Sequence, residues 1–303
     1  RIEDVSTLRC NQFKEDEGPT SHAVKPKEYN SIDNFYTTTI YEKGAEIIRM
    51  LETLLGKDNF IKGIKRYAEV FDGKAATTED LVNSIIDGAS KNGYEINFDL
   101  KQFMSWYYQA GTPQVYIKRE WNSNEGELKL IITQKSFKNK KYGPLVIPIK
   151  IAILNNNYQI EKMIILKDKE QTFIFRNLKK SGEIPILSYF REFSSPVIWE
   201  TDLEVDEMFY IATKETDMFS RWNIFQSMYK KAIISRAYNK SDHLLEELLV
   251  DSINKIIRGY KSKINNFKNE QILIQEMIQD IKMSGVIFTG DNMGYQNYYS
   301  INY

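Results

Sequence analysis

Histidine and cysteine are scarce in these 303 residues, with two of the first and one of the second. The lone Cys10 excludes an internal disulfide and fits a reducing compartment; its neighbours describe a small, partly buried thiol rather than a nucleophile. His22 and His243 lie in unrelated segments, and no HExxH, HxH or CxxC spacing occurs. A histidine-rich metal site therefore cannot be built from this chain alone. The common nucleotide and nucleophile motifs are missing too: no GxGxxG, no complete phosphate loop around Gly56-Lys57 or Gly73-Lys74, no GxSxG elbow. Net charge is absent, with 41 basic against 41 acidic side chains, which argues against a nucleic-acid surface spread over the whole protein. The most apolar stretch, residues 143–154, is interrupted by Lys150 and two prolines, far short of the roughly 20 apolar residues of a membrane helix. The opening RIEDVSTLRCNQF is polar and helix-like, unlike a signal peptide. The expectation is a soluble, cytoplasmic protein with neither nucleic-acid nor membrane partners.

What is present is core material. Hydrophobic residues make up 42% and aromatics 13%, enough to exclude wholesale disorder, and the length suits about two domains, or three if small. In residues 1–113 the period is helical. Gly44, Ile47, Ile48, Leu51, Leu54 and Leu55 share a stripe that Gly56 ends; a second helix after Lys57-Asp58 places Phe60, Ile64 and Tyr67 on one face. Thr77-Thr78-Glu79-Asp80 is a start signal for a third helix, and Leu100 to Tyr108 reads as another, stopped by Gly111-Thr112-Pro113. From Gln114 the pattern alternates: Val115 and Ile117, then Leu128, Leu130 and Ile132, then Ile147, Ile149, Ile151 and Ile153, then Thr172 to Phe175. Turn clusters at residues 122–126 and 155–157 separate these runs, as hairpin connections would. A small antiparallel sandwich is predicted over residues 114–199. Helices return after Asp202, with Trp222, Phe225 and Tyr229 on one face, then Leu244, Leu245, Leu248 and Leu249, then Ile253, Ile256 and Ile257. Residues 285–303 have no period.

Few residues advertise chemistry by themselves. Glu15-Asp16-Glu17 lacks the ligand alternation of a calcium loop and reads as a solvated turn. His22, in a loop, fits a structural hydrogen bond, and His243, beside Asp242, fits a surface or capping position. Tyr36 and Tyr41 stand five apart at the start of a strongly amphipathic helix. From composition and period alone, neither differs from a tyrosine that simply packs.

Several motifs in collinear order say more. NFYTTTIYEKGAEIIRMLETLLG, residues 34–56, is preceded by Leu8-Arg9, Gln12-Phe13 and Glu15-Asp16, and by the turn Gly18-Pro19-Thr20-Ser21-His22-Ala23-Val24-Lys25-Pro26. It is followed by Asp72-Gly73, Ala76-Thr77, Phe103 and Trp106-Tyr107-Tyr108-Gln109-Ala110-Gly111-Thr112-Pro113. Ile184-Pro185, Phe193-Ser194-Ser195-Pro196-Val197, Asp217, Phe219, Arg221 and Trp222 continue the series. Together, over roughly residues 1–230, these resemble the M1-family zinc metallo-aminopeptidases of the bacterial aminopeptidase N type. Ala23 and Lys25 depart from the motif, which more often has Pro and Arg there.

The resemblance implies a multidomain α+β architecture. Residues 1–113 would be the C-terminal helical part of a thermolysin-like catalytic domain, residues 114–199 an immunoglobulin-like β-sandwich, and residues 200–303 the truncated beginning of a helical C-terminal domain. Tyr41 matches the family's tyrosine whose hydroxyl donates to the oxyanion of the tetrahedral intermediate. Tyr36 matches an aromatic that lines the substrate pocket, or else packs. Peptides are the implied substrates and zinc the implied cofactor. The family's two histidine ligands, its glutamate ligand, its general base and its GAMEN strand lie upstream of Arg1, so this chain by itself is expected to hold no catalytic zinc and to cleave nothing. The alternatives are a non-catalytic interaction scaffold and one half of a split aminopeptidase, partnered by an N-terminal half carrying HExxH.

Overall fold

A computed structural model describes residues 1–264 apart from 30, 136–142, 156–157, 179–183, 239 and 241. The chain opens on one helical run: α1 (Ile2–Thr7), a π-helical segment Leu8–Gln12, and α2 (Phe13–Glu17). Ile2, Val5, Leu8 and Phe13 turn inward against Phe193, Ile198, Phe219 and Trp222, so this run is anchored on residues nearly 200 positions away. A second π-helical segment, Thr39–Lys43, leads into α3 (Gly44–Leu55), which buries Ile47, Met50, Leu51, Leu54 and Leu55 as its 3.6-residue stripe requires and ends at Gly56.

Helix α4 (Lys57–Phe71) turns its apolar face inward only in part: Phe60 packs half-buried against the core and Tyr67 is half-buried. Ile64 is exposed, and the buried residue is Gly63. A Cβ on Gly63 would stand 2.5 Å from the Ile85 Cα, and one on Gly88 would stand 2.6 Å from the Gly63 Cα. The two glycines let α4 and α5 (Thr78–Lys91) pack backbone on backbone, and that close approach rather than side-chain bulk chooses the inward face. Thr77 caps α5 reciprocally: its Oγ1 accepts from the Asp80 N–H, and its own N–H donates to Asp80 Oδ2 at 2.8 Å. Helix α6 (Leu100–Tyr108) is fastened to the β region by the Trp106 indole, which donates to the Val146 carbonyl at 2.8 Å.

Among the described residues seven strands follow: β1 (Gln114–Asn122), β2 (Glu127–Lys135), β3 (Ile147–Asn155), β4 (Tyr158–Leu166), β5 (Glu170–Phe175), β6 (Ile186–Ser188) and β7 (Ile198–Thr201). They form two sheets, ordered β5-β2-β1-β7 and β4-β3-β6. The alternating residues Leu128, Leu130, Ile132, Ile147, Ile149, Ile151 and Ile153 are all buried in one core. Gly126 closes the β1–β2 connection at φ +64°, with the Leu178 carbonyl where a Cβ would go. The sandwich is not wholly antiparallel. Strand β7 runs parallel to β1, Gln114 opposite Ile198, because the chain crosses from β6 in the other sheet before it reaches that edge. The β3–β4 register pairs Asn155 with Tyr158; the middle of the predicted turn, residues 156–157, lies outside the described residues.

Helices α7 (Val205–Lys214), α8 (Met218–Ala237) and α9 (His243–Ile264) complete the described chain. Trp222 and Phe225 are buried and Tyr229 half-buried on one face, as predicted. Leu244 departs from its predicted face and is exposed, while Leu245 and Leu249 fill the core with Met208, Phe225 and Met228. Asp242 caps α9 through the Leu245 N–H, leaving His243 at the surface. The side chains of Ile256 and Ile257, and residues 285–303, fall outside what is described. Among the described residues no helix is long and apolar enough to cross a membrane.

Candidate functional site

The two tyrosines singled out in the sequence meet in space. Tyr41 lies in the π-helical segment Thr39–Lys43 and Tyr36 just after a short 3₁₀ turn, Ile32–Phe35. Their rings stack at 6.3 Å between centroids, 24° apart, and both are largely exposed, 62% for Tyr36 and 59% for Tyr41. Phe35 and Tyr29 continue the chain of rings edge to face. Among the described residues the Tyr41 hydroxyl makes no hydrogen bond, so a phenol O–H is presented to whatever occupies this face.

The segment carrying Tyr41 is held from beneath. Glu15 Oε2 accepts three hydrogen bonds: from Thr38 Oγ1 (2.6 Å), the Thr39 N–H (2.8 Å) and Thr39 Oγ1 (2.8 Å). Gln12, in the first π-helical segment, donates to Thr39 Oγ1 at 3.3 Å. The Lys43 ammonium donates to Asp16 Oδ2 (2.9 Å) and to the Gly111 carbonyl (3.0 Å), while Thr112 Oγ1 donates to the same Asp16 oxygen. Gln12, Asp16, Thr39, Lys43 and Thr112 are buried and Glu15 and Thr38 half-buried, so these polar groups rely on the partners they have. The expectation of a solvated turn at residues 15–17 is therefore wrong. They belong to α2, and the half-buried Glu15 and the buried Asp16 bind the Tyr41 segment, because a carboxylate withdrawn from water keeps the donors within its reach. No local signal marks this; the partners stand 23 to 96 positions apart.

The preceding loop is pinned beside it. His22 Nδ1 lies 2.8 Å from the Ala23 carbonyl, the structural hydrogen bond anticipated for it, and Nε2 lies 4.0 Å from Glu15 Oε1. Lys25 donates to both oxygens of Glu79, and the Tyr108 hydroxyl donates to Oε1. These two partners hold the Glu79 carboxyl down at about 2, well below the usual carboxylate range. Among the described residues no group of three or more His, Cys, Asp or Glu is placed to hold a metal ion. The donor set here does not fit a zinc site.

Residues 3–107 match the model of the peptidase family M1 domain, and residues 111–202 match a domain of unknown function, DUF3458, with an Ig-like fold. The chain is 38% identical over 262 residues to aminopeptidase N of Caulobacter vibrioides, an alignment covering 85% of this chain and 29% of that protein. It is 35% identical over 241 residues to aminopeptidase N of Escherichia coli, covering 75% and 27%. A crystal structure of Legionella pneumophila aminopeptidase A in complex with aspartic acid superposes with a TM-score of 0.64 at 26% identity, over 72% of this chain and 24% of that one. The chain thus spans less than a third of the length of the relatives it matches. A helical segment, an Ig-like β region and further helices, in that order and with these likenesses, make the chain a member of peptidase family M1 and a partial homologue of aminopeptidase N.

Proposed function

We propose that this chain serves an aminopeptidase that releases N-terminal amino acids from peptides, with the Tyr41 hydroxyl donating to the oxyanion of the tetrahedral intermediate. Residues 1–113 would supply the C-terminal part of the catalytic domain, residues 114–199 the sandwich and residues 200–303 the start of the helical domain. One observation carries the reading: an exposed phenol on a rigid segment, clamped from below by Glu15 and by the buried Asp16–Lys43 pair. A neutral O–H fixed in place stabilises negative charge that exists only in the transition state, at no cost of reorganisation. Tyr36, stacked beside it, supplies a flat apolar wall for the substrate. A pure interaction scaffold has no use for a phenol held in this way.

The M1 family is zinc-dependent, but the described residues do not fit the metal, and no step is derived through it. The test takes the purified chain alone and mixed with a polypeptide carrying the HExxH segment of an aminopeptidase N. Alone, the chain is expected to carry no stoichiometric zinc by elemental analysis and to release no p-nitroaniline from alanine p-nitroanilide. In the active mixture, Tyr41→Phe is expected to lower kcat by about 10²–10³ with KM little changed. Robust turnover by the chain alone, or an intact kcat in Tyr41→Phe, overturns the reading.

A further inference from the structure

Away from the tyrosine pair, three parts of the chain meet around a cavity of about 390 Å³. Its lining includes Arg1 and Glu3 at α1, Arg49 on α3, Glu192 in the turn between β6 and β7, and Asp217 and Phe219 at the start of α8. The two guanidiniums differ in how far they are satisfied. Arg1 holds both oxygens of Glu46, at 2.5 and 2.6 Å, and donates to the carbonyls of Glu192 and Phe193. Arg49 has one hydrogen bond among the described residues, from Nη2 to the Glu192 carbonyl at 2.9 Å, and no carboxylate within ion-pairing distance.

Three of the neighbouring acids are engaged elsewhere. Glu46 belongs to Arg1, and Glu192 Oε2 lies 2.5 Å from the Lys150 ammonium. Asp217 Oδ2 accepts the N–H groups of Glu192 (3.0 Å) and Ser220 (2.8 Å). Glu3 is exposed and makes no ion pair among the described residues. Arg49 is thus a half-buried guanidinium with no ion-pair partner among the described residues, beside a second guanidinium; burial and Arg1 push its pKa down, against weaker opposing pulls from Glu46, Glu192 and Glu52. Its planar fork, with most of its N–H donors unused, matches the two-oxygen edge of a carboxylate or phosphate.

We propose that this cavity is an anion site, in which a carboxylate or phosphate group docks on the fork of Arg49 at the seam of the three regions. The anion comes either from a small free ion or from an acidic side chain of a polypeptide, and the experiment separates the two. The full chain is titrated calorimetrically with inorganic phosphate and, separately, with the capped peptide acetyl-Gly-Glu-Gly-amide, whose one charge is a side-chain carboxylate. Saturable one-to-one binding of phosphate assigns the site to a free anion; binding of the peptide alone assigns it to an acidic side chain. Arg49→Gln is expected to weaken the productive probe at least tenfold. Arg49→Lys, which keeps the charge and loses the fork, weakens it less. Glu3→Gln, which removes an unpaired like charge from the lining, tightens it. The Glu3 and Lys variants keep the test decisive should the Gln variant misfold. Absence of saturable binding by both probes overturns the proposal, as does equal affinity in wild type and both Arg49 variants.

Discussion

Lys43 and Asp16 form an ion pair sealed from water, Nζ 2.9 Å from Oδ2, with side chains 2% and 1% exposed. The pair joins α2 to the segment that presents Tyr41, and through the Gly111 carbonyl and the Thr112 hydroxyl it also secures the exit from α6. Desolvating two charges is costly, so their attraction alone adds little net stability; the penalty falls on breaking the pair, which strands one charge. Lys43→Met is therefore expected to destabilise by about 3–5 kcal/mol. Asp16→Asn added to it should cost less than the sum of the two single changes, because the second removes the stranded charge. Urea unfolding midpoints at unchanged slope measure both. Strict additivity would show that the two residues do not act as a pair.

Glu15 addresses the same segment from the other side, with one oxygen collecting three donors. Glu15→Gln keeps the shape but removes the charge that strengthens those bonds, a loss of about 1–3 kcal/mol. The expected signature is local. Amide hydrogen exchange at Thr39 and Tyr41 speeds up, while amides in the middle of α5 keep their protection. Uniform acceleration through the chain would mean that Glu15 supports global stability and not the Tyr41 segment.

Glu79 gives a pH dependence of defined sign. Hydrogen bonds from Lys25 and Tyr108 lower its folded-state pKa to about 2, against an unfolded value near 4.5. A carboxyl depressed on folding contributes stability that is complete above the unfolded value and disappears as pH falls through the folded one. Glu79→Gln should flatten the stability profile between about pH 5 and 2 and leave its shape above pH 6 unaltered. With over a third of the side chain exposed, solvent screening holds the effect below about 1 kcal/mol. Thermal midpoints of both proteins across that range check it; parallel profiles would exclude the linkage.

Much of the chain was legible before any tertiary structure. The 3.6-residue stripe of α3, the two-residue alternation of β1 to β3 and β5, and the reciprocal cap at Thr77 and Asp80 are local patterns, set by geometry within a turn or a pleat. Strand β4 was signalled only by the turn cluster before it. The apolar stripe of α4 does not by itself set its inward face, because two glycines bring backbones into contact and leave Ile64 outside while Phe60 packs on the core.

The sequence by itself determined the order of helical, β and helical regions, and placed Tyr36 and Tyr41 in one short motif. Only the tertiary structure decided that the two rings stack, that Glu15 and Asp16 are clamps and not a solvated turn, that β7 runs parallel to β1, and that Arg49 has no ion-pair partner among the described residues. The reason is physical. Helix and strand periods repeat within a few residues, but the partner of a buried charge is whichever opposite group the fold brings within about 3 Å, at any separation along the chain. Asp16 meets Lys43 across 27 positions and Thr112 across 96, distances over which residue spacing carries no information.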